Sequence, residues 1–362
     1  MVRGMKVLIA AGGTGGHLYP GIAIAREVLR EAGNGAVFVG TEQGIEARVL
    51  PKEGLPVRFI TVGRLKGMGP GSIIRTLITL PRGLLQALRL LRTERPDAVI
   101  GVGGYASGPV ALAAWLLRVP LVIVEPNSYA GLTNRMLGRF ARNVFVCFPG
   151  RDRQGFFPAG KKSLAGPLVR KGIDGGDRSA GRAAFGLKPD SFTVFVMGGS
   201  GGAHAINMAM KAAATELASV RGLQVLHQTG HKDVQEVAAA YRDAGVDAAV
   251  LPYIDDMAGA YAAADLVVSR SGATTVAELA VCGKQAVLIP YPYAADNHQE
   301  HNARSLAERG GATVIVQKDL TPARLAEEIR TAAEKGGALH APLPATAAED
   351  IVRACRAYVQ ED

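Results

Sequence analysis

VLIAAGGTGGH (Val7–His17) and TVFVMGGSGGA (Thr193–Ala203) decide the fold. Each is an apolar run, then a glycine-rich loop, then a helical pattern. The apolar runs lack polar alternation, as expected of strands buried on both faces of a parallel sheet. A glycine loop that ends a strand and opens a helix points backbone N–H groups and a helix dipole at one spot, which suits phosphate. Neither loop is a P-loop, because no Gly-Lys-Ser/Thr follows. The first also lacks the last glycine of the strict dinucleotide fingerprint. One such loop can be only a tight turn. Two in corresponding places, with Thr14 and Ser200 as hydroxyl donors, favour phosphate binding.

Outward from these stretches, short apolar runs alternate with helical ones, the pattern of an α/β protein with two Rossmann-like, doubly wound parallel-sheet domains. Strands are predicted at Lys6–Ala10, Val37–Val39, Ala98–Gly101, Leu121–Val124 and Val144–Cys147 in the first half. The second half should have them at Thr193–Val196, Leu223–His227, Ala248–Leu251, Leu266–Ser269, Ala286–Ile289 and Thr313–Val316. A length of 362 residues suits two domains, at 1–165 and 166–346, with Phe156–Gly176 as linker. A last helix within 347–362 should pack back on the first domain. Ligands of doubly wound sheets bind at the carboxyl ends of strands, so two such domains face to face would frame a cleft.

The composition is that of a globular protein, 48% hydrophobic and 20% charged, with 45 glycines. Cys147, Cys282 and Cys355 have no metal or redox spacing, which suits a reducing compartment. No signal peptide or spanning segment is read, since Ala98–Leu117 is broken by glycines and Pro109. Residues 1–165 hold 22 Lys and Arg against 9 Asp and Glu, a net of +13. The remainder holds 19 against 23, a net of −4. A basic first half implies an anionic partner. Basic residues without interleaved aromatics argue against nucleic acid and for a lipid surface or phosphorylated substrate.

Ala273, Thr274 and Thr275 open a helix after Leu266–Ser269 and offer N–H groups suited to a diphosphate. Glu278, one turn on, either accepts hydrogen bonds from ribose hydroxyls or merely offsets the helix dipole. Asp296, Asn297, His298, Gln299 and Asn302 suit a hydroxyl-rich sugar. His298 and His301 lack further ligands, so no metal is expected. With no Asp-x-Asp anywhere, helix ends and Arg170 must stabilise any leaving diphosphate. His17 can cap its helix, accept a proton from an attacking hydroxyl, or hold a phosphate.

GGTGGHLYPGIAIA (12–25), GGYASGP (103–109), EPNSYAGLTN (125–134), GPLVR (166–170), GGSGGA (198–203), YIDDM (253–257), RSGATTVAEL (270–279) and ADNHQEHNA (295–303) follow in order. Together they resemble the bacterial peptidoglycan glycosyltransferases of the MurG family across nearly the whole chain. The resemblance implies the GT-B architecture and inverting transfer of N-acetylglucosamine from UDP-N-acetylglucosamine to the muramoyl 4-hydroxyl of undecaprenyl-diphospho-muramoylpentapeptide, without a cofactor. It implies that Arg170, Ser200 and residues 273–275 hold the donor diphosphate, that the Ile254 backbone reads uracil, and that Glu278 reads the ribose. It also implies donor-sugar contacts from Asn127, His298 and Gln299. Gly13, Thr14, Gly15, Gly16, His17, Gly103, Gly104 and Tyr105 fall on the acceptor side, with His17 the leading base. The family's usual His-Glu-Gln-Asn reads Val124-Glu125-Pro126-Asn127, so no histidine there can act. One extra residue separates Pro167 from Arg170, and Gly201 stands where glutamine is frequent.

Ser72–Arg92 interleaves aliphatics, among them Ile74, Leu77 and Leu85, with Arg75, Arg82 and Arg89; Pro81 is expected to divide it into two helices. It is either two sheet-covering helices or, with Trp115, an apolar patch resting on an anionic membrane. The second reading, favoured by the basic domain and a lipid-linked acceptor, puts the protein peripherally on the cytoplasmic face of the plasma membrane. Rival functions are a UDP-sugar 2-epimerase, a lipid galactosyltransferase, a nicotinamide dehydrogenase, and an inactive nucleotide-sugar-binding partner that recruits another protein to the membrane.

Overall fold

The first apolar run forms strand β1 (Lys6–Ala11), and Val7 to Ala11 are fully buried. The computed structural model describes residues 4–62, 70–149, 155–199, 201–336 and 340–359, and only the backbone of 70–79. β1 lies in a sheet with β2 (Gly35–Gly40), β3 (Val57–Phe59), β4 (Ala98–Gly103), β5 (Leu121–Glu125), β6 (Asn143–Val146) and β7 (Lys162–Leu164). Their order is β3-β2-β1-β4-β5-β6-β7, and all pairs are parallel. The crossovers are α1 (Gly15–Val28), α2 (Glu46–Lys52), α3 (Pro70–Glu94), α4 (Ser107–Leu116) and α5 (Leu132–Leu137).

The helix α6 (Arg178–Ala184) leads into a second parallel sheet. Its strands are β8 (Phe192–Met197), β9 (Leu223–Gln228), β10 (Asp247–Leu251), β11 (Leu266–Ser269), β12 (Ala286–Leu288) and β13 (Ala312–Val314), in the order β10-β9-β8-β11-β12-β13. Its helices are α7 (His204–Ala212), α8 (Ala214–Ala218), α9 (Val234–Ala244), α10 (Met257–Ala263), α11 (Ala273–Cys282), α12 (His298–Ala307) and α13 (Pro322–Glu334). Both sheets reverse strand order beside their first glycine loop, between β1 and β4 and between β8 and β11. Such switch points are where doubly wound folds take ligands.

The chain divides into two compact units, Met1–Arg170 with Ala345–Asp362, and Lys171–Pro344. Helix α14 (Ala347–Val359) packs on the first unit: the Tyr358 hydroxyl donates to Asn143 Oδ1 at 2.5 Å, and Arg356 pairs with Glu31 at 2.6 Å. The boundary therefore falls five residues later than the sequence suggested. Part of the expected linker is strand β7, the Ala165 N–H still donates to the Val146 carbonyl, and Leu168 and Val169 are buried. β3 and β7 escaped sequence reading because each has three residues and none of their side chains is fully buried.

Pro81 does not divide α3, which runs unbroken from Pro70 to Glu94. A mid-helix proline costs about 3 kcal/mol through one lost rung and a ring clash. Beyond it, Gly83, Ala87 and Leu91 form a buried stripe at four-residue spacing, whose packing offsets that cost.

The second core encloses polar groups that satisfy one another. His227 on β9 is fully buried, with Nδ1 3.0 Å from the Tyr241 hydroxyl and Nε2 3.1 Å from Asn207 Oδ1. Asn207 Nδ2 donates to the Thr229 carbonyl at 2.8 Å and to Asp233 at 2.7 Å. Burial holds this imidazole neutral, with its pKa pushed down to about 3 despite the opposing charge of Asp233. Unfolding frees it to bind a proton, so stability is complete above about pH 6.5 and falls as pH drops towards 3. Relative to His227→Gln, the native protein should lose up to about 1.4 kcal/mol per pH unit in that window. Denaturant unfolding across pH checks this; parallel curves for the two proteins would contradict it.

Candidate active site

Each unit brings the ends of two neighbouring strands together beside its first glycine loop, in the first unit at the switch point itself. In the first, Gly104 (φ +88°) follows β4, and a Cβ there would overlap the Gly12 carbonyl at the end of β1. The buried Ser107 hydroxyl joins the same strands, 2.7 Å from the Ala10 carbonyl and accepting the Gly103 N–H at 3.1 Å. A Cβ on Gly103 would stand 2.7 Å from His17 Cδ2 and 2.9 Å from its Nε2, so the imidazole lies against this glycine. His17 Nδ1 is 3.2 Å from the Thr14 hydroxyl. The Tyr105 ring lies beside Gly13. Helix α1 starts at Gly15, so its first-turn N–H groups at Gly15 and Gly16 face the end of the helix, where a phosphate is favoured.

Glu46, which sequence reading missed, holds this loop from beneath. It is 1% exposed, accepts the Gly13 N–H at 2.9 Å on one oxygen, and on the other takes the Thr41 N–H at 2.8 Å and hydroxyl at 3.1 Å. A lone acid in the first turn of a helix has no signal in sequence beyond offsetting a dipole.

Glu125 ends β5, at the head of the 125–134 motif. Its carboxylate accepts from the Asn127 N–H (2.9 Å) and Nδ2 (3.0 Å), the Gly131 N–H (2.9 Å) and Asn134 Nδ2 (2.9 Å). Burial pushes its pKa above the ordinary range although these donors pull it down. Asn127 is thus folded onto Glu125, beside a mostly apolar cavity of about 280 Å³ that Phe148, Phe156 and Leu164 also line. Arg170, expected among donor loops of the second domain, instead closes the first unit with its guanidinium 5.6 Å above the Tyr19 ring of α1.

In the second unit the loop after β8 approaches the end of β9: Gly202 has φ +75°, and a Cβ there would overlap the Thr229 carbonyl. Ser200 lies outside the described residues. Gln228 Nε2 donates to the Gly199 carbonyl at 2.9 Å, and Gln228 Oε1 accepts the Ile254 N–H at 2.8 Å. Helix α11 begins at Ala273, which puts Ala273, Thr274 and Thr275 in its first turn. Glu278 is 3% exposed and accepts the Tyr261 hydroxyl at 2.9 Å. Gln299 ties two segments together, its Oε1 accepting the Tyr291 N–H at 3.0 Å and the Ser271 N–H at 3.3 Å. His298 Nδ1 is 2.7 Å from the Ala295 carbonyl. Asp296 and Asn297 just before it both adopt left-handed φ of +52°, a conformation that costs non-glycine residues energy and concentrates at functional sites.

Leu80, Leu85, Trp115 and Leu116 on α3 and α4 are exposed, as are Arg82, Arg89 and Arg92. The side chains of Ile74, Arg75 and Leu77 lie outside the described residues. Among the described residues no helix is long and apolar enough to cross a membrane.

Residues 7–146 match the glycosyltransferase family 28 N-terminal domain, and residues 193–354 match its C-terminal domain. The chain belongs to glycosyltransferase family 28. It is 51% identical over 330 residues to the UDP-N-acetylglucosamine--N-acetylmuramyl-(pentapeptide) pyrophosphoryl-undecaprenol N-acetylglucosamine transferase of Anaeromyxobacter sp. (strain Fw109-5), covering 90% of this chain and 84% of that one. The crystal structure of Acinetobacter baumannii MurG superposes with a TM-score of 0.72 at 33% identity, covering 98% of this chain and 99% of that one. A UDP-N-acetylglucosamine 2-epimerase structure superposes at 0.65 with 13% identity, covering 99% of this chain and 98% of that one; that likeness is of fold alone.

For a family 28 chain, the close main-chain approach at the first switch point sets a sharp requirement. Gly104→Ala combines a left-handed φ with the overlap on Gly12 and should cost about 1–3 kcal/mol of stability. Gly108→Ala, where no atom stands within 4 Å of the added carbon, should be neutral within about 0.5 kcal/mol. Thermal unfolding of both variants checks this; equal losses would contradict it.

Proposed function

We infer that the protein transfers N-acetylglucosamine from UDP-N-acetylglucosamine to the 4-hydroxyl of undecaprenyl-diphospho-muramoylpentapeptide, with inversion. The observation that carries this reading is the 51% identity over 90% of the chain to a transferase of that name. Its physical support is the pair of helix-opening glycine loops at two switch points, one for each diphosphate. The donor binds to the second unit: residues 198–202 and the first turn of α11 take the diphosphate, the Ile254 backbone takes the base and Glu278 the ribose. The N–H of Ile254 and one oxygen of Glu278 already have protein partners, so donor binding shares these bonds and does not break them. Gln299 and His298 contact the donor sugar. The acceptor diphosphate rests on Gly13–Gly16 and Gly103–Tyr105. Arg170, above Tyr19, adds a fixed positive charge for a diphosphate.

In the reaction the muramoyl O4 attacks the anomeric carbon from the face opposite UDP. The new C–O bond forms as the bond to the diphosphate oxygen breaks, and UDP leaves with the electron pair. Helix N-termini stabilise that charge. His17 takes the hydroxyl proton; its contacts with Thr14 and Gly103 fix the ring's orientation. UDP release should require acceptor and yield a disaccharide-lipid; release or epimerisation of donor alone would contradict transfer. His17→Ala should lower kcat about 10²–10⁴-fold, the range of general-base catalysis, with UDP affinity unchanged. A kcat within tenfold of the native value would remove His17 as the base.

A lipid-linked acceptor favours a peripheral position on the cytoplasmic face of the plasma membrane. The apolar side chains of α3 and α4 enter the headgroup region there, and the arginines meet anionic lipid. Each basic residue near such a surface contributes about 1 kcal/mol. Arg82→Gln with Arg89→Gln should therefore weaken binding to anionic vesicles about tenfold or more at low salt, and binding of the native protein should fall as salt rises. Sedimentation indifferent to salt and lipid charge would contradict the electrostatic part.

A further inference from the structure

We propose that Gln228 is a positioning residue for the donor nucleotide, setting the separation between the loop that takes the diphosphate and the segment that takes the base. The inference rests on the donor reading above and names a residue to which that reading gives no part. β9 lies between β10 and β8, and Gln228 is its last residue. Gly199 follows β8 on one side, and Ile254 follows β10 on the other. A single carboxamide spans them, with 2.9 Å from Nε2 to the Gly199 carbonyl and 2.8 Å from the Ile254 N–H to Oε1. Its orientation is fixed by chemistry, because a carbonyl can be met only by the NH2 end and an N–H only by the oxygen.

The surroundings leave the bridge little freedom. Gln228 is 3% exposed. The residue after it is held at several points: the Thr229 N–H donates to the Leu251 carbonyl at 3.0 Å, and Asn207 Nδ2 donates to the Thr229 carbonyl at 2.8 Å. The same carbonyl excludes any side chain from Gly202, so the diphosphate loop rests directly on this strand end. Movement of Gln228 is therefore passed to Gly199 and Ile254 together. A nucleoside diphosphate needs its base and its phosphates received at one fixed spacing. Uridine needs only the first of these sites.

Two substitutions separate the roles. Gln228→Glu keeps an oxygen for the Ile254 N–H, removes the donor to Gly199 and adds a negative charge beside the diphosphate loop. Gln228→Met keeps the volume and removes both hydrogen bonds. UDP and uridine affinities of the full chain are measured by titration calorimetry or ligand-observed NMR, alongside KM and kcat for UDP-N-acetylglucosamine. UDP affinity should fall about tenfold or more in Gln228→Glu and about threefold or more in Gln228→Met. Uridine affinity should stay within about twofold in both, and the donor KM should rise with kcat nearly unchanged, as for an interaction lost equally from ground and transition states. A residue that only supports the fold would lower both affinities together. A UDP-to-uridine affinity ratio equal to the native one, in a variant with a cooperative thermal transition, overturns the proposal. If one variant does not fold, the ratio in the other decides. A native protein that transfers sugar while the variants keep its ratio loses this inference alone; a native protein that binds no UDP loses the donor reading with it.

Discussion

Main chain lies against main chain at the C-terminal edge of each sheet, and most of the functional geometry depends on that contact. Gly104 presses on the Gly12 carbonyl in the first unit and Gly202 on the Thr229 carbonyl in the second. Only a residue without Cβ permits either approach, and both adopt left-handed φ. The contact brings the loop after one strand against its neighbour. Helix N–H groups that would otherwise open onto solvent are thereby gathered in one place. An anion is the natural occupant of such a place, because it meets several unsatisfied donors and the positive end of a helix dipole together.

Buried polar side chains then hold these glycine loops in one arrangement. Glu46 takes three donors beneath the first loop, and Gln228 bridges two segments beside the second. Leaving one of their buried N–H groups unmet would cost about 1–3 kcal/mol. The loops are therefore shaped before any ligand arrives. Such preorganisation lets a diphosphate be stabilised as its charge develops, without rearrangement of the donors at that moment. The excess of positive charge in residues 1–165 suits the part that would meet both a lipid diphosphate and an anionic membrane.

Much of this was legible in the sequence, because glycine and apolar runs encode it locally. The strands that flank each switch point are mostly apolar, and five-residue glycine loops mark where β1 and β8 end. Less was legible where partners are distant along the chain. Gly13 meets Glu46 33 residues away, and Gln228 meets Ile254 26 residues away, so neither spacing forms a motif. β3 and β7 carry no apolar signature, since they lie at the two edges of their sheet. Pro81 misled for a different reason: its local cost is real, but the buried stripe of Gly83, Ala87 and Leu91 outweighs it. Arg170 sits on the first unit because residues 165–169 keep packing there, which no spacing reveals.

The central claim is a division of labour, with UDP held by the second unit and the lipid diphosphate by the first. Amide hydrogen exchange of the full chain with and without UDP tests it most directly. The account expects UDP to slow exchange at residues 198–203, 228–230, 253–256 and 272–276, and to leave 12–16 and 103–107 unchanged. Protection of 12–16 by UDP, with the second unit unaffected, would contradict it.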